Sequence, residues 1–133
     1  MRLAVRPSDP LTERAPARLS ADSRDVPPLD LVHLARATDG DEALEAELIA
    51  MFARQSEKLG APLRRPELAR QARADVAHRL RGSALAIGAF AVAEAAGRLE
   101  CALEGEGDEP KVELAALEAT LDAARAAIAQ LTG

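Results

Sequence analysis

Apolar residues recur every three to four positions between Pro66 and Gly88, and this spacing is the strongest constraint on the fold. Such a repeat places the apolar side chains along one face of an α-helix. We predict that this face packs into the core with the following residues: Ala69, Ala72, Val76, Leu80, Ser83 or Ala84, and Ile87. A rotation of about 100° per residue puts His78 opposite the centre of the face. The imidazole of His78 is therefore predicted to point into solvent.

Helical spacing continues along most of the chain after residue 28. Alanine and leucine are abundant, β-branched residues are sparse, and the only aromatic side chains besides histidine are two phenylalanines, which favours helices throughout. We predict five helices near residues 31–35, 41–63, 66–86, 89–104 and 114–131. Asp39 and Asp41 compete to cap the second helix, and Gly60 and Pro62 are expected to make its last turns irregular. The third helix begins between Pro66 and residue 73. The simplest assembly is an all-α, up-and-down antiparallel four-helix bundle with a short extra N-terminal helix.

Residues 1–28 differ in composition from the rest of the chain. They hold five prolines, five arginines and four acidic residues, with too little apolar surface to offset the entropy of ordering. We predict a flexible N-terminal tail over residues 1–28 and a helical bundle domain over residues 29–133. A docking arm or a linker is the functional alternative for the tail.

Charge and cysteine content exclude several classes of function. The formal net charge is −5, and no dense lysine and arginine cluster is present, so nucleic acid is not an expected partner. Cys101 is the only cysteine, which excludes an intrachain disulfide and a cysteine zinc site and fits the reducing cytoplasm. We expect Cys101 to be a small core residue. No apolar run reaches the length of a membrane span, and no signal peptide is recognisable, so a cytoplasmic protein is predicted.

A candidate site lies on the exposed face around His78. The predicted turn near Gly88 folds the third helix against the fourth, so His78 and Glu100, on either side of the turn, can be neighbours. A carboxylate bound to one ring nitrogen would fix the tautomer and leave the other nitrogen as a nucleophile. The alternative is that Glu100 is solvated or pairs with a surface cation such as Arg98.

Four further residues on this helix are candidates for contact with a phosphoryl group or a partner. Arg81 lies one turn after His78, where its guanidinium could hold a phosphoryl oxygen, although it could equally be an ordinary surface arginine. Gly82 costs helix stability relative to alanine, which suggests that a partner approaches the bare backbone closely. Leu85 would give that partner an apolar contact. Ala74 is included with Gly82 and Leu85 in the predicted partner-binding set.

The segment HRLRGSALAIGA, from His78 to Ala89, resembles the histidine-containing phosphotransfer (HPt) domains of phosphorelays. The resemblance combines a histidine, a cation three residues later, glycine at the fourth position and another glycine at the tenth. It extends from about Leu29 to Glu100, while the last helix is similar only in pattern. Arg81 stands where the family more often has lysine, and Glu100 stands where the family often has a polar side chain near the histidine.

This resemblance implies a function. His78 would accept a phosphoryl group from the aspartate of a receiver domain and pass it to another receiver domain. The implied partners are response-regulator receiver domains and a hybrid histidine kinase, and Mg²⁺ is expected in the receiver rather than in this chain. Phosphoryl transfer depends mainly on in-line positioning and charge neutralisation, which such a partner can supply.

Other classes of function are set against this interpretation. No glycine-rich phosphate loop follows a strand, so we expect a phosphorelay intermediate without an ATP site rather than an enzyme. A metal-binding bundle is not favoured, because His33 and His78 are the only histidines and neither stands in a metal-binding motif. The remaining alternative is a non-phosphorylated helical adaptor that binds a receiver domain or a histidine kinase without using His78. We expect the protein to be a monomer, because the outer faces of its helices are polar.

Overall fold

The computed structural model describes residues 26–132, in which helices are the only regular secondary structure. They are α1 Leu31–Ala37, α2 Glu42–Leu63, α3 Arg70–Ile87, α4 Phe90–Glu104 and α5 Lys111–Thr132. The helices α2 to α5 each pack against the next, and α5 returns to α2, which closes an up-and-down antiparallel bundle. The short α1 lies against α2 and α3. The predicted fold class is confirmed, whereas the prediction of a flexible tail falls, apart from residues 26–28, outside the described residues.

None of the helices in the described part of the chain is both long enough and apolar enough to cross a membrane.

The buried face of α3 agrees with the predicted stripe only in its C-terminal part. Val76, Leu80, Ala84 and Ile87 are buried, as the spacing predicts. Nearer the N-terminus the prediction is wrong, because Ala69 and Ala72 are exposed and other residues take their place in the interior: Arg73, Ala74 and Ala77. The reason is that the α3 stripe continues backwards from Leu80 through Ala77 to Arg73, a charged residue that apolar patterning leaves out.

The ends of α2 settle two questions left open by the sequence. Asp41, not Asp39, is the N-cap, because its side chain accepts a hydrogen bond of 3.1 Å from the backbone N–H of Leu44. The predicted irregularity near the other end is wrong, since α2 is helical through Gly60 and Pro62. Pro62 stands in the last turn, where it removes only one intrahelical hydrogen bond.

The turn between α3 and α4 depends on Gly88. Its φ of +83° lies in the left-handed region that favours glycine. A Cβ atom at this position would lie 2.9 Å from the carbonyl oxygen of Asp30, and the backbone N–H of Asp30 donates to the Gly88 oxygen at 2.9 Å. Gly88 therefore both reverses the chain and lets the segment before α1 dock on the turn.

At the end of the bundle opposite to Gly88, a buried arginine connects three segments of the chain. The side chain of Arg73 is 1% exposed, and it donates two hydrogen bonds to the carboxylate of Glu109, at 2.8 and 2.6 Å. A third bond, of 2.8 Å, reaches the carbonyl oxygen of Leu63. These contacts join α3 to the end of α2 and to the loop before α5. The hydrogen bonds from Arg73 hold the pKa of the Glu109 carboxyl below its usual value.

We predict that Glu109→Gln destabilises the fold by about 2 kcal/mol, because it leaves the buried Arg73 charge without its carboxylate. The free energy of unfolding in urea, followed by helical circular dichroism, measures this change. Glu94→Gln is the matched control, since Glu94 pairs with Arg98 on the surface and that pair is largely exposed. Equal stabilities of the two variants would contradict the assigned role of Arg73.

The same pair predicts a dependence of stability on pH. Because the pKa of Glu109 is lower in the folded state, its contribution is present above the unfolded pKa of about 4.3 and is lost as the pH falls through the folded value. Wild-type protein should therefore lose more stability than Glu109→Gln when the pH is lowered below about 4.3. Parallel pH profiles of the two proteins would show that the carboxylate contributes nothing.

Candidate functional site

His78 lies in the middle of α3, on the side away from the core. The buried residues Val76, Leu80 and Ile87 all lie within about 20° of the direction opposite to it around the helix axis. The imidazole side chain is 64% exposed. The predicted exposure of the ring is confirmed, and a ring nitrogen is accessible to another molecule.

Glu100 of α4 holds one nitrogen of this ring. The Nδ1 atom of His78 lies 3.1 Å from Oε2 and 3.3 Å from Oε1 of Glu100, whose side chain is 19% exposed. A carboxylate can only accept a hydrogen bond, so Nδ1 carries the proton. In the neutral ring, Nε2 then keeps its lone pair. The alternative partner for Glu100 is not used, because Arg98 instead pairs with Glu94 at 3.0 Å.

Arg81 stands one turn after His78, at the flank of α3 that faces α4. Its side chain is exposed, and within residues 26–132 its guanidinium makes no hydrogen bond or ion pair. Arg98 of α4 differs in this respect, since it is engaged with Glu94. The five donors of Arg81 are thus available to an anionic group placed next to the imidazole.

Gly82 and Leu85 extend the exposed surface beyond His78. A Cβ atom added at Gly82 would have no neighbour within 4 Å, so no packing constraint inside the described bundle requires glycine there. Tight packing against a neighbouring helix therefore does not account for the glycine within the described residues. Leu85 is 39% exposed. The two residues place bare backbone and an exposed apolar side chain on the same face of α3 as the imidazole.

Two expectations for individual residues are wrong. Ala74, predicted to contact a partner, is 1% exposed, because α4 covers that flank of α3 and a methyl group is too short to reach past it. Cys101, expected in the core, is an exposed free cysteine. Its position is about 200° around α4 from the buried Leu99, which places it on the outer face of that helix.

The structure adds a contact that the sequence did not reveal. Ser83 donates a hydrogen bond of 3.1 Å from Oγ to Oε1 of Gln55. This bond joins α3 to α2 beside Gly82, so α3 is held from both sides: by Gln55 on α2 and by Glu100 on α4. No periodicity singles out Gln55, because it is one polar residue among many on an exposed helix face.

The described residues contain no group of three or more His, Cys, Asp or Glu side chains arranged to hold a metal ion. That this chain needs no metal or cofactor stays a prediction.

A four-helix bundle that presents one oriented, exposed histidine in the middle of a helix has the architecture of a phosphotransfer module. Residues 42–127, more than half of the chain, match the Hpt domain family, and the chain belongs to that family. The match covers α2 to α4 and most of α5. It begins later than the resemblance found in the sequence, which starts near Leu29, and extends further towards the C-terminus. No curated protein and no solved structure matches the chain. Membership implies a histidine phosphotransfer role in a phosphorelay and interaction with receiver domains.

The hydrogen bond to Glu100 predicts the tautomer of the neutral imidazole. In the wild-type protein Nδ1 carries the proton, and Glu100→Ala should shift the population towards the Nε2–H form, because the acceptor at Nδ1 is lost. The ¹⁵N chemical shifts of the ring, measured above the titration range of histidine, report this population. Glu104→Ala, one turn further along α4, is the control and should leave it unchanged. The same tautomer population in both variants would contradict an orienting role for Glu100.

Proposed function

We propose that His78 accepts a phosphoryl group from the aspartate of one receiver domain and donates it to the aspartate of another. The observation that carries this proposal is the 64% exposed imidazole whose Nδ1 is held by Glu100. The ring is thus accessible to a second protein while its orientation is restrained. Both properties are needed for an in-line attack on a bound phosphoryl group.

The proposed step needs no general base in this chain. The Nε2 lone pair of His78 attacks the phosphorus of the phosphoaspartate, the N–P bond forms, and the P–O bond to the aspartate breaks. The leaving carboxylate keeps the electron pair, and the proton on Nδ1 stays in place. The phosphorylated ring is then positively charged, and the carboxylate of Glu100 at 3.1 Å from Nδ1 stabilises that charge. The reverse step passes the group to the next receiver.

Arg81 supplies charge to the same step. Its guanidinium would bind the phosphoryl oxygens as they approach the imidazole, where charge spreads over these oxygens in the transition state. The receiver domain would contribute the remaining charge neutralisation through a Mg²⁺ ion in its own acidic pocket. This chain would then act as an intermediate without an ATP site of its own.

The partner would dock over Gly82 and Leu85, because this part of α3 combines unobstructed backbone with an exposed apolar side chain. The upstream partner in this proposal is a hybrid histidine kinase, and the downstream partner is a response-regulator receiver. The monomeric state and the cytoplasmic location expected from the sequence remain predictions.

Transfer of label from a ³²P-phosphorylated receiver domain tests the proposal. Wild-type protein should take up label that is labile in acid and stable in base, as expected for phosphohistidine, and His78→Gln should take up none. His33→Gln is the matched control, because it removes the other histidine of the chain. His33 lies on α1, where it packs edge-on against Phe90 of α4 and not at the site. This variant should be labelled like the wild type.

Two outcomes would overturn the phosphotransfer proposal. Label on His78→Gln would place the phosphoryl group on another residue. Tight binding of receiver domains without label on any variant would favour the non-phosphorylated adaptor instead, and a panel of the receiver domains of the cell makes that result decisive.

Gly82 gives an independent test of the docking surface. Gly82→Ala should stabilise the fold by about 0.5–1 kcal/mol, since the added methyl group meets no neighbour and lowers the entropy of the unfolded chain. Gly82→Leu should remain folded but lower kcat/KM for the receiver about tenfold, because its side chain would stand between α3 and the partner. Ala119→Leu on α5, the helix diagonal to α3, is the control and should transfer normally. Unchanged transfer by Gly82→Leu would remove Gly82 from the interface.

A further inference from the structure

The register of α3 against α4 places residues of the two helices opposite each other in two pairs, and the pairs are one helical turn apart. His78 lies opposite Glu100, and three residues further along α3, Arg81 lies opposite Gly97. A Cβ atom built on Gly97 would be 3.4 Å from Cδ and 3.5 Å from Nε of Arg81. The aliphatic part of the arginine therefore rests on the bare backbone of α4, in the next rung after the contact between imidazole and carboxylate.

The packing on Gly97 is the contact that restrains the side chain of Arg81. Its guanidinium has no hydrogen-bond partner among residues 26–132, and a long exposed side chain without a fixed contact spreads over many rotamers. Glycine in the middle of a helix lowers helix stability relative to alanine, and α4 is otherwise rich in alanine. The exception at position 97 coincides with the place where the arginine side chain crosses the helix.

We propose that Gly97 is a positioning residue: because it has no side chain, the arginine side chain of Arg81 can pack against the backbone of α4, and this contact holds the guanidinium beside the imidazole. The proposal rests on the proposed function, in which Arg81 binds the phosphoryl oxygens. The distances set a limit on the size of residue 97. A single methyl group would make an ordinary van der Waals contact with Cδ and Nε of Arg81. A larger, branched side chain such as valine would extend from that methyl position towards the volume that the arginine side chain now fills.

A set of variants tests this limit through the rate of phosphoryl transfer from a receiver domain. Gly97→Val should lower the rate by about as much as Arg81→Ala, roughly tenfold, because in either case the guanidinium is lost from the site. Gly97→Ala should give a smaller loss. Gly97→Met repeats the test without a β-branch, and Cys101→Val, one turn further on the exposed face of α4, is the control that should transfer like the wild type.

The double variant Gly97→Val/Arg81→Ala separates positioning from a direct role. If residue 97 acts only through Arg81, the double variant should transfer at the rate of Arg81→Ala alone. A further loss in the double variant would overturn the proposal, as would a wild-type rate in both Gly97→Val and Gly97→Met. Urea unfolding of each variant verifies that the rates are compared between folded proteins.

A structural measurement keeps this inference distinct from the proposed function. In the wild-type protein, nuclear Overhauser effects should connect the δ protons of Arg81 with the α protons of Gly97. In Gly97→Val, the Nε–H resonance of Arg81 should no longer have the chemical shift of a side chain held in one position. Absence of these effects in the wild type would overturn the proposed packing of Arg81 on Gly97 even where transfer is observed. If the effects are present but His78 takes up no label, the packing of Arg81 on Gly97 is supported and the proposed function is overturned instead.

Discussion

The antiparallel register of α3 against α4 is the constraint on which the candidate site depends. Gly88 sets it, because its left-handed backbone reverses the chain within two residues and its missing side chain admits the segment before α1. Buried alanines along both helices then let their axes approach closely. A shift of this register by one residue would rotate Glu100 by about 100° away from His78 and would remove their hydrogen bond.

Restraint and exposure are achieved together at His78. A histidine on an outward helix face would ordinarily be free to rotate, and a buried one would be sealed from a partner. Here Glu100 reaches up from the neighbouring helix and is itself mostly shielded, so the imidazole keeps one fixed nitrogen while most of the ring stays in water. The catalytic power assigned to this chain is accordingly small. In the proposed function this chain would position one nucleophile, His78, and one cation, Arg81, and a receiver domain would supply the rest of the chemistry.

The opposite end of the bundle is organised around the buried side chain of Arg73 and its carboxylate partner. Aromatic side chains are almost absent, and much of the interior consists of alanine and leucine. Arg73 fills the space where α2, α3 and the loop before α5 converge, and Glu109 neutralises its charge. A buried pair of this kind is costly to break but adds little net stability, so its main effect is to fix how the three segments meet.

The sequence by itself determined the helices and the outward direction of His78, because periodicity is a local property of the chain. It made Glu100 one possible neighbour of His78, and the structure decided that Glu100 contacts the imidazole and that Arg98 pairs with Glu94 instead. The sequence also singled out Gly82, whose cost in a helix needs no structure to recognise. Only the tertiary structure decided that Ala74 is covered, that Cys101 is exposed and that Arg73 is buried. Helical periodicity gives the direction in which a side chain points, but which directions are covered depends on the position of the neighbouring helices, and that is set by packing between segments distant in the sequence.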